Sequence, residues 1–244
     1  ERDGELVGYA DVAPHPEPNY WVDARVPLSE GDEVRDALIG WAEERAGKRA
    51  GAKMRAFTLD SDEPEIAALG RRGYALIRHS YRMRIDFTEP PQEPGWPEGV
   101  SVRPATEADI RTAYDVYSET FADTWEFGND PFDEWSHWMV EDGLDLSLWF
   151  VAEDDGEVAA IALCKPFDGE EGLGWVRVLG VRRRWRRQGV GRALLLHLFG
   201  EFHRRGFHGV GLGVDAESLT GAHRLYENAG MRVNRRYNVY EKVL

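Results

Sequence analysis

Residues 178–195 read Val-Leu-Gly-Val-Arg-Arg-Arg-Trp-Arg-Arg-Gln-Gly-Val-Gly-Arg-Ala-Leu-Leu. An apolar run comes first, then five arginines between Arg182 and Arg187, then a glycine pair at Gly189 and Gly191. Ala193, Leu194, Leu195, Leu198 and Phe202 follow at helical spacing. The reading is strand, basic turn, glycine pair, helix. The first backbone N–H groups of a helix have no partner inside it. They receive phosphate oxygens, and the helix dipole adds to the attraction. Glycines at 189 and 191 clear the approach and permit positive φ. Arginine side chains beside them add charge-assisted bonds. The turn from Arg186 to Arg192 therefore reads as a pyrophosphate site made of Arg186, Arg187, Gln188, Gly189, Val190, Gly191 and Arg192. A nucleic-acid patch would explain the arginines alone, but it leaves the glycine spacing without a reason. The chain also carries a formal net charge of −14, which repels nucleic-acid phosphates.

The rest of the second half supports an α/β reading. Val100 to Arg103 is a short strand, and Thr106 caps a helix with Asp109 three residues on. Ile110, Ala113, Tyr114 and Tyr117 give that helix an apolar face. Another helix runs from Phe132 to Val140. Strands are expected at Leu146 to Ala152, Glu157 to Leu163, Leu173 to Val181, Gly209 to Val214 and Tyr237 to Leu244. Helices are expected at Gly191 to Arg205 and Gly221 to Asn228. Such alternation implies a mixed, twisted sheet flanked by helices. The segment Glu89 to Gly99 holds four prolines and two glycines and reads as a linker between residues 1–88 and 100–244.

The first half repeats the later order. Leu6 to Val12, Tyr20 to Val26, Met54 to Leu59 and Ile77 to Ile85 read as strands. Val34 to Ala46 and Pro64 to Arg72 read as helices. The stretch Ala67 to Tyr74 sits where Leu225 to Met231 sits later, which marks an internal repeat. The first copy lacks the elements that open the second, and position 1 is not Met. A longer gene product is the expectation from this.

Arg186-Arg187-Gln188-Gly189-Val190-Gly191 matches the Arg/Gln-x-x-Gly-x-Gly/Ala cofactor motif of the GNAT superfamily of N-acetyltransferases, in the same strand-to-helix setting. The chain resembles that family throughout residues 100–244, and over residues 6–86 as a degraded second copy. The resemblance implies two tandem GNAT-like folds, an incomplete N-terminal copy, and acetyl-CoA as acyl donor. It also implies that the strand Leu173 to Val181 splays from its neighbour. The pantetheine arm would then pair with the backbones of Leu179 and Val181, and the strand's N–H groups would steady the oxyanion. Gly180 inside this apolar strand points independently to a bulge or a close backbone approach. Val214 to Met231 resembles the family stretch that carries an Asn, here replaced by Ser218, and a tyrosine near the cofactor sulfur, here Tyr226. A phenol can protonate a departing thiolate. The alternative for Tyr226 is a packing aromatic on an amphipathic helix.

Amine acetylation requires removal of a proton from the amine. Many relatives place a Glu on the strand before the glycine turn; in the similar mycothiol synthases it lies six residues before the equivalent of Val181. Here that position is Trp175. Glu170 and Glu171, in the loop Asp168 to Gly172, are the candidate bases, with Glu171 taken as the site residue and ordinary loop carboxylates as the alternative. Phe121 to Trp135 joins two helices and borders the acceptor site in the resembling family. Its aromatics and carboxylates suit a small-molecule amine with an apolar body.

Several function classes are excluded by what the chain lacks. The single cysteine, Cys164, cannot pair within the chain and reads as core. The histidines are scattered, so no metal site is expected. No run of about 18 apolar residues exists, so no membrane partner is expected and a cytoplasmic location is the simplest. The first copy follows Val26 with Pro27-Leu28-Ser29-Glu30-Gly31-Asp32-Glu33, where two acids at a helix start would repel a pyrophosphate. That copy is expected not to catalyse. The reading is an N-acetyltransferase acting on a small amine. The alternatives are a relative of mycothiol synthase, which Trp175 in place of Glu disfavours, or a non-catalytic acyl-CoA-binding module.

Overall fold

The computed structural model describes residues 4–14, 19–27, 29–125, 127–128, 130–140, 145–218 and 221–244. In chain order the elements are β1 (Tyr9–Pro14), β2 (Asn19–Arg25), α1 (Asp32–Ala46), β3 (Lys53–Leu59), α2 (Glu63–Arg71), β4 (Ala75–Asp86), β5 (Val100–Pro104), α3 (Ile110–Phe121), α4 (Phe132–Val140), β6 (Trp149–Asp154), β7 (Glu157–Pro166), β8 (Leu173–Val181), α5 (Val190–Arg204), β9 (Gly209–Asp215), α6 (Ala222–Asn228) and β10 (Arg232–Val243). The order β-β-α-β-α-β occurs twice, as β1 to β4 and as β7 to β10. Every expected element is present, with ends shifted by a few residues. The largest difference is at β10, which starts at Arg232 rather than Tyr237, and Leu146–Leu148 forms a 3-10 turn before β6. Asp145 accepts a hydrogen bond from the Ser147 N–H there, and that local bond favours a turn over a strand.

The chain forms two compact units, Glu1–Tyr81 with Arg235–Leu244, and Arg82–Asn234. In the first, β1 and β2 are antiparallel, β2 and β3 are parallel, and β10 lies antiparallel to β3. Helix α1 buries Arg35, Ile39, Ala42 and Ala46 at helical spacing. Ile39, Ala42 and Ala46 join Val22, Met54, Leu69 and Tyr74 in one core cluster. The Asp62 carboxylate caps α2 by accepting from the Glu65 N–H at 3.1 Å, and Pro64 fits the first turn, where no donor is needed. The division of the chain therefore differs from one drawn at the proline-rich segment. Residues 235–244 belong with the N-terminal unit, because Tyr237 to Val243 completes the backbone ladder of β3.

In the second unit β5, β6, β7 and β8 are successively antiparallel, and β9 runs parallel to β8. Thr106 and Asp109 form the capping box ahead of α3. On one face α3 and α4 bury Val116, Trp135 and Met139 against Trp149, Ile161 and Val178. On α5, Leu194, Leu195, Leu198, Phe199 and Phe202 are fully buried. Each such side chain contributes about 1.5–3 kcal/mol by leaving water. Residues 87–99 run along α5 rather than hanging free. Phe87 meets Phe199 and His203, Trp96 meets His197, and Gln92 accepts from Arg192 at 3.0 Å.

Candidate active site

The turn between β8 and α5 is built to stay open at its glycines. Gly189 enters the helix at φ 89°, a left-handed conformation that a side chain disfavours. Arg187 also has positive φ, at 63°. Trp185 anchors the turn from below: it is buried, and its Nε1 donates to Asp154 at 2.7 Å. Arg186 braces the turn by donating from Nε to the Val181 carbonyl at 3.0 Å. Gln188 donates to the Arg184 carbonyl at 2.7 Å. No side chain caps the start of α5, and its first turn holds no acid. The cap N–H groups are thus left for a ligand.

The basic cluster divides into two groups. Arg182 pairs with Glu119 at 2.9 Å, Arg183 with Asp123 at 2.8 Å and Arg184 with Glu157 at 2.8 Å. These three fix the turn to α3, to Asp123 just beyond its end, and to β7. The Arg183 guanidinium holds the exposed Asp123 carboxyl below its ordinary range. Among the described residues Arg187 has no ion-pair or hydrogen-bond partner, and Arg192 has Gln92. Arg187 and Arg192 are therefore the cations most available to an incoming anion.

β8 and β9 part where the turn needs room. Their parallel register runs from Leu173↔Gly209 to Val176↔Leu212 and stops there, although β8 continues to Val181 and β9 to Asp215. On the other side of β8, the register with β7 shifts between Leu163 and Cys164, which places Arg177 as an extra residue. The splay expected from the family resemblance is present, and the bulge lies at Arg177. Gly180 answers to a close approach instead, since a Cβ there would sit 2.5 Å from the Thr120 Oγ1. A Cβ at Gly191 would lie 3.2 Å from Val181 and 3.4 Å from Leu225. Both glycines keep α3, β8, α5 and α6 close together.

A cleft of about 560 Å³ opens in this gap. Leu179, Gly180, Val181, Arg186, Arg187, Gly189, Gly191, Arg192 and Tyr226 line it. So nine of the sequence-predicted residues meet in one place. Gln188 and Val190 lie within the same turn, with Val190 buried. Ser218 does not line the cleft; its backbone builds the approach to α6, where its carbonyl accepts from the Gly221 N–H at 3.1 Å. The sequence reading missed Thr120, Gly221, Ala222 and Leu225 as lining residues. Gly180 was the only signal for Thr120, because a contact across 60 positions leaves no local pattern.

Tyr226 is 8% exposed, and burial pushes its phenol up to about 12. Its hydroxyl has no hydrogen-bond partner among the described residues. A proton held there at neutral pH is available to a ligand in the cleft. Glu171 is exposed in the loop before β8 and does not line the cleft, and its carbonyl oxygen contacts His208 Nε2 at 3.0 Å. Glu170 is engaged by Arg84 through two bonds of 2.7 and 3.0 Å. The structure thus does not bring Glu171 together with Tyr226. Trp175 stacks on Phe167 at 4.8 Å, and the Arg82 guanidinium lies 5.2 Å from its ring. In the segment Phe121 to Trp135, Glu126 and Asn129 lie outside the described residues. Trp135 is wholly buried among Tyr114, Tyr117, Phe132 and Trp149, so it is core rather than pocket wall. Cys164 is buried, and its thiol is pushed up by burial, as expected of a core cysteine.

Comparison with known proteins agrees with this geometry. A family model described as the acetyltransferase (GNAT) family matches residues 110–231, half of the chain. A mycothiol acetyltransferase from Thermobispora bispora is 31% identical over 234 residues, spanning 93% of this chain and 76% of that protein. Among solved structures, a GCN5-related N-acetyltransferase from Sphaerobacter thermophilus superposes with a TM-score of 0.85 at 32% identity, covering 99% of this chain and 78% of that one. A tandem GNAT protein from the clavulanic acid biosynthesis pathway shares the fold, with a TM-score of 0.78 at 17% identity over 100% of this chain and 81% of that one. The open helix start, the parted strands and these likenesses lead to one assignment: the chain belongs to the acetyltransferase (GNAT) family and is an acyltransferase.

Proposed function

We propose that the second unit transfers an acetyl group from acetyl-CoA to the amine of a small-molecule acceptor. The observation that carries this is the coincidence, in one cleft, of the uncapped α5 start, the unpaired edge of β8 past Val176, and the Tyr226 hydroxyl. The N–H groups after Gly189 and the Arg187 and Arg192 side chains hold the pyrophosphate. The edge of Leu179 to Val181 that faces away from β7 pairs with the pantetheine arm. Acetyl-CoA supplies the activated thioester. Backbone N–H groups of β8 stabilise the developing oxyanion. As the amine nitrogen bonds to the carbonyl carbon and the carbon–sulfur bond breaks, Tyr226 gives its proton to the sulfur. The amine proton passes to solvent, since neither Glu170 nor Glu171 lines the cleft, and the Tyr226 phenolate takes a proton back from solvent to complete the cycle. A small-molecule acceptor is supported by relatives whose names specify mycothiol and phosphinothricin.

Calorimetric titration of acetyl-CoA into the wild type and into Gly189→Glu plus Gly191→Glu tests the reading. Micromolar binding lost at least a hundredfold in the double variant supports it, with circular dichroism confirming the fold. No heat from the wild type at millimolar acetyl-CoA sinks the enzyme reading. Binding without CoA release against a panel of small amines would favour an acyl-CoA-binding module instead.

A further inference from the structure

The first unit contains a second cavity, of about 340 Å³, lined by residues including Ala24, Val26, Arg35, Asp62 and Glu65. Arg35 and Glu65 are 5% and 8% exposed. Together they put a charge of each sign on the wall of a pocket whose size is at the lower end for small-molecule sites.

The pair is joined by one bond, Arg35 Nη1 donating to Glu65 Oε2 at 3.1 Å. A guanidinium has five N–H donors, and among the described residues this is the only side-chain bond Arg35 makes. None of its nitrogens is a buried atom lacking a partner, so the remaining donors face open space in the cavity. Glu65 Oε1 is likewise uncommitted. The Asp62 carboxylate stands next to it, held by the Glu65 N–H at 3.1 Å. Burial pushes Glu65 up to about 7, even with Arg35 beside it. Arg25, which also lines the cavity and pairs with Asp23, acts on Glu65 in the same sense as Arg35, so two guanidiniums offset only part of the cost of burying that carboxylate, with Asp62 and Asp23 raising it. A further cation seated between Glu65 and Asp62 would add to that compensation, and an anion would satisfy the spare Arg35 donors.

We propose that this cavity binds a small zwitterion, of which a free α-amino acid is the simplest, with its carboxylate on Arg35 and its ammonium between Glu65 and Asp62. The position explains why the two copies differ. Arg35 is the fourth residue of α1, as Ala193 is of α5. Glu65 precedes Gly73 by the same interval as Ala222 precedes Gly230. At these two positions the second unit has alanines, and the first has a charge pair. The site is separate from the acetyl-transfer reading and does not depend on it.

The test is calorimetric titration of glycine, L-alanine, L-glutamate and L-lysine into the full chain at pH 8. Propionate and N-acetyl-L-alanine serve as analogues that lack the ammonium group. The expected result is saturable binding of at least one amino acid, weakened tenfold or more by loss of the ammonium group and by Glu65→Gln. Should Glu65→Gln not fold, Val26→Trp, which fills the cavity from its rim, is expected to abolish binding. Gly191→Glu in the second unit is expected to leave it unchanged. No binding by any of the four at about 20 mM, well above the millimolar range of weak sites, overturns the proposal. So does binding indifferent to both first-unit variants, or binding lost in Gly191→Glu.

Discussion

Two helices of this chain follow a strand in the same place in the repeated order, and they begin in opposite ways. Helix α5 starts after Gly189 at φ 89°, with no acid in its first turn and arginines on either side. Helix α1 starts after Gly31 at φ −78°, with Asp32 and Glu33 in its first turn. The dipole of α1 is neutralised by its own chain, whereas that of α5 is left for a ligand. The difference continues inward. The second unit has Tyr226 four residues before Gly230, and the first has Leu69 four residues before Gly73. One cleft keeps a buried phenol beside an uncapped helix start, and the other is walled by a buried ion pair. A repeated backbone therefore does not carry a repeated chemistry, because a handful of side chains at helix starts decide it.

The largest expected effect breaks the first unit at that ion pair. Glu65→Ala leaves the Arg35 guanidinium buried and uncompensated, which costs about 3 kcal/mol or more. Urea unfolding of the wild type and the variant at pH 8 measures it. A loss under about 0.5 kcal/mol would mean that water already solvates Arg35 and that the pair is not what closes this cleft.

The pH dependence sharpens the same point. Glu65 has a folded value of about 7 against an ordinary 4.5. Between those values the folded state keeps a proton that the unfolded chain has released. Stability therefore falls as pH rises through that window, by at most about 3 kcal/mol. In the second unit Asp109 has the opposite sign. Its hydrogen bonds from Arg103 hold it well below its ordinary value, so its contribution is present near neutrality and is lost in acid. Unfolding free energies at pH 5 and pH 8 for the wild type and Glu65→Gln isolate the Glu65 part. The wild type is expected to lose stability relative to the variant between the two. Parallel behaviour would remove the titration from the account.

Much of this was legible in the sequence where structure is local. The capping box at Thr106 and Asp109 needs only a four-residue pattern and is present as read. Helix α4 and strand β8 have the predicted bounds, because their apolar spacing and breakers lie within the segment. The glycine turn was readable because its chemistry depends on consecutive backbone groups. Long-range matters were not. Nothing in residues 235–243 reveals that they complete the ladder of β3, since an alternating strand fits any open edge. Nothing near Arg35 names Glu65 as its partner. The proline-rich segment looked like a tether, yet Phe87, Gln92 and Trp96 each meet α5 in contacts that no local rule contains.

Replacing the buried phenol tests the proposed role of Tyr226 and imposes the first unit's character on the second. Tyr226→Phe keeps the ring and its packing while removing the hydroxyl, as at Leu69. A fall in kcat of about 10- to 100-fold is expected, or about 1.4–2.7 kcal/mol, with acetyl-CoA affinity unchanged. Steady-state kinetics beside calorimetric titration separate the two. Unchanged kcat would make Tyr226 a packing aromatic and leave thiolate protonation to solvent.

The reverse exchange has the smallest expected effect and says the most about cause. Asp32→Val with Glu33→Gly gives α1 the first two residues of α5. If helix-start charge alone separated the units, this variant would gain a second acetyl-CoA site. The ion pair of Arg35 and Glu65 still stands in its cleft, which has about 340 Å³ against about 560 Å³. Leu28 lies outside the described residues, and the glycine that α5 has at 189 has as its counterpart Gly31 at negative φ. The expected stoichiometry therefore stays at one acetyl-CoA per chain by calorimetry. A second event would show that electrostatics at the helix start, rather than the buried pair, is what shuts the first cleft to the cofactor.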